Sequence, residues 1–98
     1  MKKITEKQVE NALVKLVNES GGIAYKFSSP NRRSVPDRLV LLPYGHIFFV
    51  ECKSTGKKAT KAQLREHEKL RKLGFKVFVI DFILTDADNA ANWWRMQL

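Results

Sequence analysis

Two apolar runs decide the fold: Val35-Pro36-Asp37-Arg38-Leu39-Val40-Leu41-Leu42 and, after a Pro43-Tyr44-Gly45 turn, Ile47-Phe48-Phe49-Val50-Glu51-Cys52-Lys53-Ser54. Two such runs around a turn predict a β-hairpin. In an antiparallel pair the start of one strand lies beside the end of the next. Asp37 and Glu51 should therefore lie close together. The continuously apolar second run is typical of a central strand covered on both faces.

Glu51 and Lys53 end the second run on one face of the strand, because side chains two residues apart share a face. Cys52 points to the other face, so its thiol is expected to be a small buried hydrophobe, while its backbone carbonyl can still face a cation. Two carboxylates and a lysine thus converge on one patch. The simpler alternative is a salt bridge, in which Lys53 neutralises Asp37 and Glu51 at the sheet edge.

Composition and charge limit the classes of function. The 98 residues, 44% of them hydrophobic, predict a single globular domain over 1–98. Eighteen Lys and Arg against ten Asp and Glu give a net charge of +8, which favours nucleic acid as a partner. No apolar run is long enough for a membrane span, and no signal peptide is evident. The single cysteine fits a cytoplasmic location. A basic protein without a polyanionic partner is the alternative.

Helical and strand patterns surround the hairpin. The further predicted elements are helices over 5–18, over 60–73 and from 85 onward, and strands over 23–28 and 76–80. Thr5 with Gln8, and Thr60 with Gln63, form capping boxes at the first two helices. The strand over 76–80 should run parallel to the second hairpin strand through a right-handed crossover. The order is α-β-β-β-α-β-α, which predicts an α/β fold with a mixed sheet flanked by helices.

The sequence leaves open the role of Gln63 in the second helix and the placement of two tryptophans in the third. Four residues of the second helix follow at helical spacing and predict its buried stripe: Leu64, His67, Leu70 and Leu73. Gln63 has a structural explanation in its capping box, with which a role in the site competes. Trp93 and Trp94 cannot easily share one face of the third helix. Either one is in the core and the other half exposed, or they form a dimer contact.

Charged residues lie near the patch in sequence. A polar loop over 29–35 places two arginines beside Asp37, and a loop over 54–61 is rich in lysine. These loops are either phosphate contacts or solvated surfaces. Glu6 and Glu10 lie four apart at one edge of the apolar stripe of the first helix. Each is either a surface residue or a ligand of the site, and residue pattern favours the surface.

The patch has the groups that phosphodiester hydrolysis requires. Hard cations such as Mg²⁺ prefer oxygen ligands, which Asp37 and Glu51 supply. Lys53 beside the cation can orient the attacking water or stabilise charge on the phosphate. Glu10 can complete the acidic shell.

These residues carry a family resemblance. Pro36-Asp37, followed by Glu51-Cys52-Lys53 after a hydrophobic strand, resembles the PD-(D/E)xK nuclease superfamily, whose core has the same α-β-β-β-α-β order. Nearly the whole chain is similar to the VRR-NUC family of small phage and bacterial nuclease domains. The matching segments are Gly21-Gly22, Lys26-Phe27, Val35-Pro36-Asp37-Arg38, Leu42-Pro43-Tyr44-Gly45, Phe49-Val50-Glu51-Cys52-Lys53, Gln63 and Leu73-Gly74-Phe75. The stand-alone form is similar to Holliday-junction resolvases, which act as homodimers with Mg²⁺ or Mn²⁺.

The resemblance implies a restriction-endonuclease-like core and a role for each matching residue. Asp37, Glu51 and the Cys52 carbonyl would be metal ligands, Lys53 the catalytic lysine, and Gln63 a neighbour of the site. Glu10 best fits the glutamate of the first helix, with Glu6 as the alternative. Cysteine stands where an apolar residue is usual between Glu51 and Lys53. The basic residues expected to contact DNA are Arg32, Arg33, Arg38, Lys57, Lys58 and Lys61.

The resulting expectation is a metal-dependent, structure-selective DNA endonuclease of phage or bacterial origin. Its expected substrate is a Holliday junction, and its expected state is a homodimer. The alternatives are a nuclease acting on flaps or nicks, a restriction-type nuclease, and a non-catalytic module that binds nucleic acid.

Overall fold

The helices and strands follow the predicted order. A computed structural model describes residues 3–84, and the predicted third helix with Trp93 and Trp94 lies outside them. The elements are α1 (Glu6–Glu19), β1 (Ile23–Lys26), β2 (Arg38–Leu42), a 3₁₀ turn (Pro43–Gly45), β3 (His46–Cys52), α2 (Lys61–Lys72) and β4 (Lys76–Ile80). Neither α1 nor α2 is long and apolar enough to cross a membrane.

Both predicted capping boxes form, and they fix where the two helices begin. The Thr5 hydroxyl accepts a hydrogen bond from the Gln8 amide N–H, and the Gln8 side chain accepts one from the Thr5 N–H. Thr60 and Gln63 make the same reciprocal pair at the start of α2. Each box satisfies backbone donors that a helix terminus would otherwise leave unpaired.

The four strands form one mixed sheet in the order β1-β2-β3-β4. β1 pairs with β2 and β2 with β3 in antiparallel fashion, whereas β3 and β4 are parallel. β3 is therefore central, and every residue from 48 to 52 is buried, as its apolar sequence predicted. Arg38 lies opposite Val50 in the hairpin register, so that residues 37 and 51 are the next facing pair.

The two faces of the sheet carry different kinds of residue. Alternate residues of β3, Phe48, Val50 and Cys52, pack with α1 in the main core. The members of that core are Val9, Leu13, Leu16, Val17, Ala24, Val40, Phe48, Val50, Cys52, Ile80 and Leu84. On the opposite face, Glu51 contacts Gln63 of α2, and Phe49 packs with Phe27 and Phe75. The site is therefore on the α2 face, where polar side chains replace part of an ordinary core.

The predicted buried stripe of α2 is wrong at both of its ends. Leu64 is 49% exposed and Leu73 is 73% exposed, whereas the buried residues of the helix are Glu66 and His67. The helix is oriented by polar contacts to distant parts of the chain. Gln63 binds Glu51 on β3, and Glu66 binds an arginine of the loop over 29–35. Hydrophobic periodicity within the helix contains no information about these partners.

Gly22 joins α1 to β1 at a point where the backbone passes close to β2. A Cβ at this position would lie 2.4 Å from the Leu41 carbonyl oxygen and 2.8 Å from a Leu42 methyl carbon. We expect Gly22→Ala to lower the free energy of unfolding by about 2–3 kcal/mol, because backbone must shift to relieve the overlap. Gly74→Ala is the control. Gly74 has a positive φ of 98°, but an added Cβ would have open space around it, so the free energy of unfolding should fall by only about 1 kcal/mol. Urea unfolding measures both, and equal losses would contradict this explanation.

Candidate active site

Asp37 is held opposite Glu51 by two backbone contacts. Its Oδ2 accepts a hydrogen bond of 2.9 Å from the Cys52 N–H on the neighbouring strand. Its backbone carbonyl accepts one of 2.8 Å from the Phe27 N–H, beyond the end of β1. The predicted proximity of Asp37 and Glu51 is thus confirmed. It follows from the hairpin register alone and needs no special loop.

Glu51 is a nearly buried carboxylate, with 2% of its surface exposed. Its Oε2 lies 3.5 Å from the Lys53 ammonium and 3.1 Å from the Gln63 side-chain amide nitrogen. Its Oε1 is buried and has no hydrogen-bond partner within residues 3–84. Burial raises the pKa of Glu51 to about 7, and repulsion by Asp37 adds to this, while Lys53 opposes it. The ionised form of Glu51 is therefore destabilised in the folded protein, and the charge of Lys53 offsets this only in part.

Gln63 performs both of the roles that the sequence presented as competing. Its side-chain oxygen accepts from the Thr60 N–H in the capping box, and its side-chain nitrogen donates to Glu51. An amide has both a donor and an acceptor, so one side chain can begin the helix and bind the carboxylate. The start of α2 is consequently fixed relative to the end of β3.

His67 is a residue of the site that the sequence analysis assigned to an apolar stripe. It is fully buried, one helical turn after Gln63, and its Nε2 lies 3.9 Å from the unpaired Glu51 Oε1. Neither ring nitrogen has a hydrogen-bond partner in the described part of the chain. Burial lowers the pKa of His67, and the positive charges of Arg71 and Lys53 lower it further. The available sequence signal was its spacing of four from Gln63, which places both on one helix face.

Cys52 is a buried free thiol. Burial is the main cause that raises the pKa of this thiol to about 12, and Asp37 is the next cause. The neutral thiol belongs to the core shared with α1. This agrees with the expectation that Cys52 is a small hydrophobe, and a thiolate nucleophile is not formed here.

Glu10 and Arg38 are paired with each other. The Arg38 Nε donates to Glu10 Oε2 at 3.0 Å, its Nη1 donates to the Ala24 carbonyl, and Lys26 lies 3.9 Å from the same carboxylate oxygen. Arg38 follows Asp37 in an extended strand and so points to the α1 face. The structure therefore pairs the Glu10 carboxylate with Arg38 and Lys26, and it places Arg38 in an internal ion pair. Because Glu10 and Arg38 are paired with each other, neither is included in the proposed site.

The donors that remain fit a hard divalent cation. Within residues 3–84 no three or more His, Cys, Asp or Glu side chains form a group arranged for a metal ion. Two facing carboxylates, Asp37 and Glu51, remain, with the Cys52 carbonyl between Glu51 and Lys53. Mg²⁺ in phosphate-processing sites is commonly held by one or two carboxylates, with the substrate phosphate and water completing the shell. Because an ionised carboxylate oxygen accepts more than one contact, the buried Oε1 of Glu51, which has no partner within residues 3–84, could bind such a cation and still accept a hydrogen bond.

Arg32 fastens the loop over 29–35 to helix α2. Its Nε and Nη2 donate to the two carboxylate oxygens of Glu66 at 2.8 and 2.7 Å. This contact lowers the pKa of Glu66, so that the acid remains charged. Arg33 beside it is exposed. The loop is thereby fixed to α2, and Arg32 has an acidic partner that the sequence did not reveal.

The lysine-rich loop over 54–61 is exposed and is anchored where it begins. The Gly56 N–H donates to the Asp81 carboxylate at 3.0 Å, and the Thr55 hydroxyl donates to the Asp81 carbonyl. The Thr55 N–H donates to the Ile4 carbonyl. Three lysines project from this loop and the first residue of α2, and all are exposed: Lys57, Lys58 and Lys61. Because the loop follows Lys53 directly, its lysines lie close in sequence to the acidic patch.

Comparisons with known proteins agree on one kind of domain. No family model matches the sequence. "Putative nuclease p44" of Acyrthosiphon pisum secondary endosymbiont phage 1 is 58% identical over 81 residues, which cover 83% of this chain and 87% of that protein. A solved structure described as "VRR_NUC domain" is 37% identical, superposes with a TM-score of 0.77, and covers 90% of this chain and 96% of its own.

Proposed function

Since this chain belongs to the VRR-NUC domain family, we propose that it is an endonuclease that hydrolyses phosphodiester bonds in branched double-stranded DNA with Mg²⁺ or Mn²⁺. The relatives support a nuclease. The observation that carries the proposal further is the patch itself: two facing carboxylates with Lys53 and Gln63 bound to one of them. A plain salt bridge explains the pairing of Lys53 with Glu51. It does not explain why a second carboxylate is held against a nearly buried one.

Each residue of the patch has a part in the proposed reaction. Asp37, Glu51 and the Cys52 carbonyl would hold the cation, which supplies Lewis-acid activation and neutralises phosphate charge. Lys53 stabilises negative charge on the phosphate or orients the attacking water. Gln63 holds the Glu51 carboxylate from α2 through its 3.1 Å hydrogen bond. Enclosure of Glu51 strengthens these electrostatic interactions, since they act where water is largely excluded.

The exposed cations support DNA as the substrate. The exposed cations near the patch in sequence are Arg33, on the loop before Asp37, Lys57 and Lys58, on the loop after Lys53, and Lys61, at the start of α2. The net charge of the chain is +8. Such charges bind phosphates without reading sequence, which suits recognition of a DNA shape. Arg32 contributes less to DNA binding, because the Glu66 carboxylate already neutralises its charge. We place the activity in the cytoplasm of a bacterium, consistent with the phage origin of the relative.

The proposed substrate within branched DNA is the four-way junction, cut by a homodimer. A junction has two symmetry-related strands to cut, and a two-fold dimer presents two equivalent sites. A chain of 98 residues also has little surface with which to grip a branched substrate alone. Flap or nick cleavage is the alternative nuclease activity, and a metal-independent binding module is the alternative without catalysis.

The test is cleavage of a synthetic four-way junction, with a linear duplex and a flap of the same sequence as controls. We expect paired nicks at symmetric positions in two opposing strands with Mg²⁺ or Mn²⁺, and none in EDTA. Asp37→Asn should bind the junction without cutting it, because it retains the hydrogen-bonding shape of Asp37 but loses its charge. Sedimentation of the protein–junction complex measures whether two chains are bound.

The outcomes separate the alternatives. Cutting only of the flap or the linear duplex would retain the nuclease and reject the junction as substrate. A single chain per junction would reject the homodimer. Tight binding in EDTA with no cutting of any substrate by the wild type would leave a binding module with a structural charge cluster.

A further inference from the structure

His67 lies where a hydrophobic residue would be expected. It is fully buried beneath α2, and neither of its ring nitrogens has a hydrogen-bond partner within residues 3–84. A buried polar atom without a partner lowers stability, and native proteins contain few of them. A leucine at this position would fill similar space without that cost. The presence of an imidazole therefore calls for an explanation other than packing.

The unpaired atoms of His67 are not isolated. The only other buried side-chain atom without a partner in the described chain is the Glu51 Oε1, and it faces the His67 Nε2 at 3.9 Å. That separation exceeds a hydrogen bond by less than about 1 Å. The second oxygen of the same carboxylate is bound by Lys53 and Gln63. Glu51 is thus held on one side and faced by a potential donor on the other.

We propose that His67 is a positioning residue, whose Nε2–H donates to Glu51 Oε1 and fixes the plane of this carboxylate toward the cation and the phosphodiester. The proposal rests on the function proposed above. His67 touches neither substrate nor cation in it and acts only through Glu51. Small movements of the Glu51 side chain bring the two atoms within bonding distance, while Gln63 holds the other oxygen in place.

The position of the donor makes the proposal specific. The amide nitrogen of glutamine reaches about as far from the backbone as a histidine Nε2, whereas that of asparagine reaches only as far as Nδ1. His67→Gln should therefore preserve the contact with Glu51, and His67→Asn should lose it although it is equally polar. His67→Leu removes every donor. Leu64→Gln, on the exposed side of the same helix, is the matched control.

Binding of Mn²⁺ is the first measurement, because it does not depend on turnover. The free ion is counted by electron paramagnetic resonance as protein is added in the absence of DNA. We expect the dissociation constant to rise by about 10- to 100-fold in His67→Leu and His67→Asn, a typical loss when a partner of a metal ligand is removed. His67→Gln should remain within about threefold of the wild type, as should Leu64→Gln. Junction cleavage at fixed Mn²⁺ should fall in the same order.

Thermal unfolding in EDTA distinguishes positioning from packing. If His67 only filled the core, Mn²⁺ binding and cleavage by each variant would follow its thermal stability. His67→Leu would then be the most active variant, because it removes unpaired buried nitrogens. Positioning predicts the opposite: His67→Leu unfolds at the same or a higher temperature but binds Mn²⁺ weakly. Should His67→Leu fail to fold, the contrast between His67→Gln and His67→Asn decides the question.

Two results would overturn the proposal. Equal Mn²⁺ binding by the wild type, His67→Asn and His67→Leu would show that His67 is a core residue, although the nuclease would stand if the wild type cuts. Failure of the wild type to bind Mn²⁺ or cut any substrate would reject the proposed function, and the positioning role with it.

Discussion

Lys53→Met is expected to slow DNA cleavage by about 10²- to 10³-fold while leaving the fold intact, the usual loss when a preorganised charge is removed from a transition state. The Lys53 ammonium lies 3.5 Å from Glu51, and only 12% of the side chain is exposed. It therefore acts where water is largely excluded and where its charge is poorly screened. Methionine retains the apolar stem of the side chain, so that packing changes little.

The measurement is the single-turnover cleavage rate with protein in excess over the substrate that the wild type cuts. Binding in EDTA is measured alongside, and one lost charge should change it by much less than the rate. Lys15→Met makes the same charge change on an exposed position of α1 and should cut at nearly the wild-type rate. Cleavage by Lys53→Met within about threefold of the wild type would show that the ammonium only neutralises Glu51.

The hairpin is the part of the fold that sequence alone determined best. Both of its strands are short apolar runs, and the turn between them contains Tyr44 and Gly45 at positive φ. Once that turn sets the register, Asp37 must lie opposite Glu51 and Lys53 must share its face. The capping boxes at Thr5 and Thr60 are equally local. Features that depend on fewer than about twenty neighbouring residues were thus predictable.

Helix α2 shows where such reasoning stops. Its exposed Leu64 and Leu73 were expected to be buried, and its buried Glu66 was not singled out. The helix is oriented by Gln63 binding to Glu51 and by Glu66 binding to Arg32, 34 residues away. Helical periodicity measures the hydrophobicity of one element only. It is misleading where the buried face is a polar site rather than a core.

The placement of Glu10 was open to prediction from a signal that went unused. Arg38 follows Asp37 directly, so an extended strand must direct it to the opposite face, where α1 packs. An arginine that is mostly buried there needs an acidic partner, and Glu10 is the acidic residue of α1 that is buried. Strand alternation therefore favours Glu10 as the partner of Arg38 over Glu10 as a metal ligand.

Glu51→Gln should have two opposite effects: it should stabilise the metal-free protein at pH 8 and abolish cleavage. Burial and Asp37 raise the pKa of Glu51 from 4.5 to about 7, so that the ionised form is disfavoured in the folded state. A shift of this size corresponds to roughly 3 kcal/mol of unfolding free energy at pH values above 7. The amide preserves the shape of the side chain without its charge. Cleavage should fall by more than about 10²-fold, since removing even a partner of a metal ligand costs that much.

The stabilisation should depend on pH in a definite direction. Between about pH 4.5 and 7 the folded wild type binds up to one more proton at Glu51 than the unfolded chain does. Its stability therefore decreases as pH rises through this range and levels off above it. Glu51→Gln lacks this titration. The difference between the two proteins should thus be small at pH 4.5 and largest at pH 8, where it should reach about 12–24 °C in melting temperature.

Melting temperatures of both proteins, measured in EDTA and in excess Mg²⁺ across this range, test the two effects together. Because a ligand that binds only the folded state stabilises it, Mg²⁺ should raise the melting temperature of the wild type at pH 8 and leave that of Glu51→Gln unchanged. Glu68→Gln, an exposed position of α2, makes the same substitution on the surface and controls for the loss of a charge. If Glu51→Gln exceeds the wild type by the same margin at pH 4.5 and pH 8, the ionised carboxylate is not the source of the instability. If Mg²⁺ stabilises both proteins equally, Glu51 is not a ligand of the cation, and the patch must hold it through Asp37 and backbone oxygens alone.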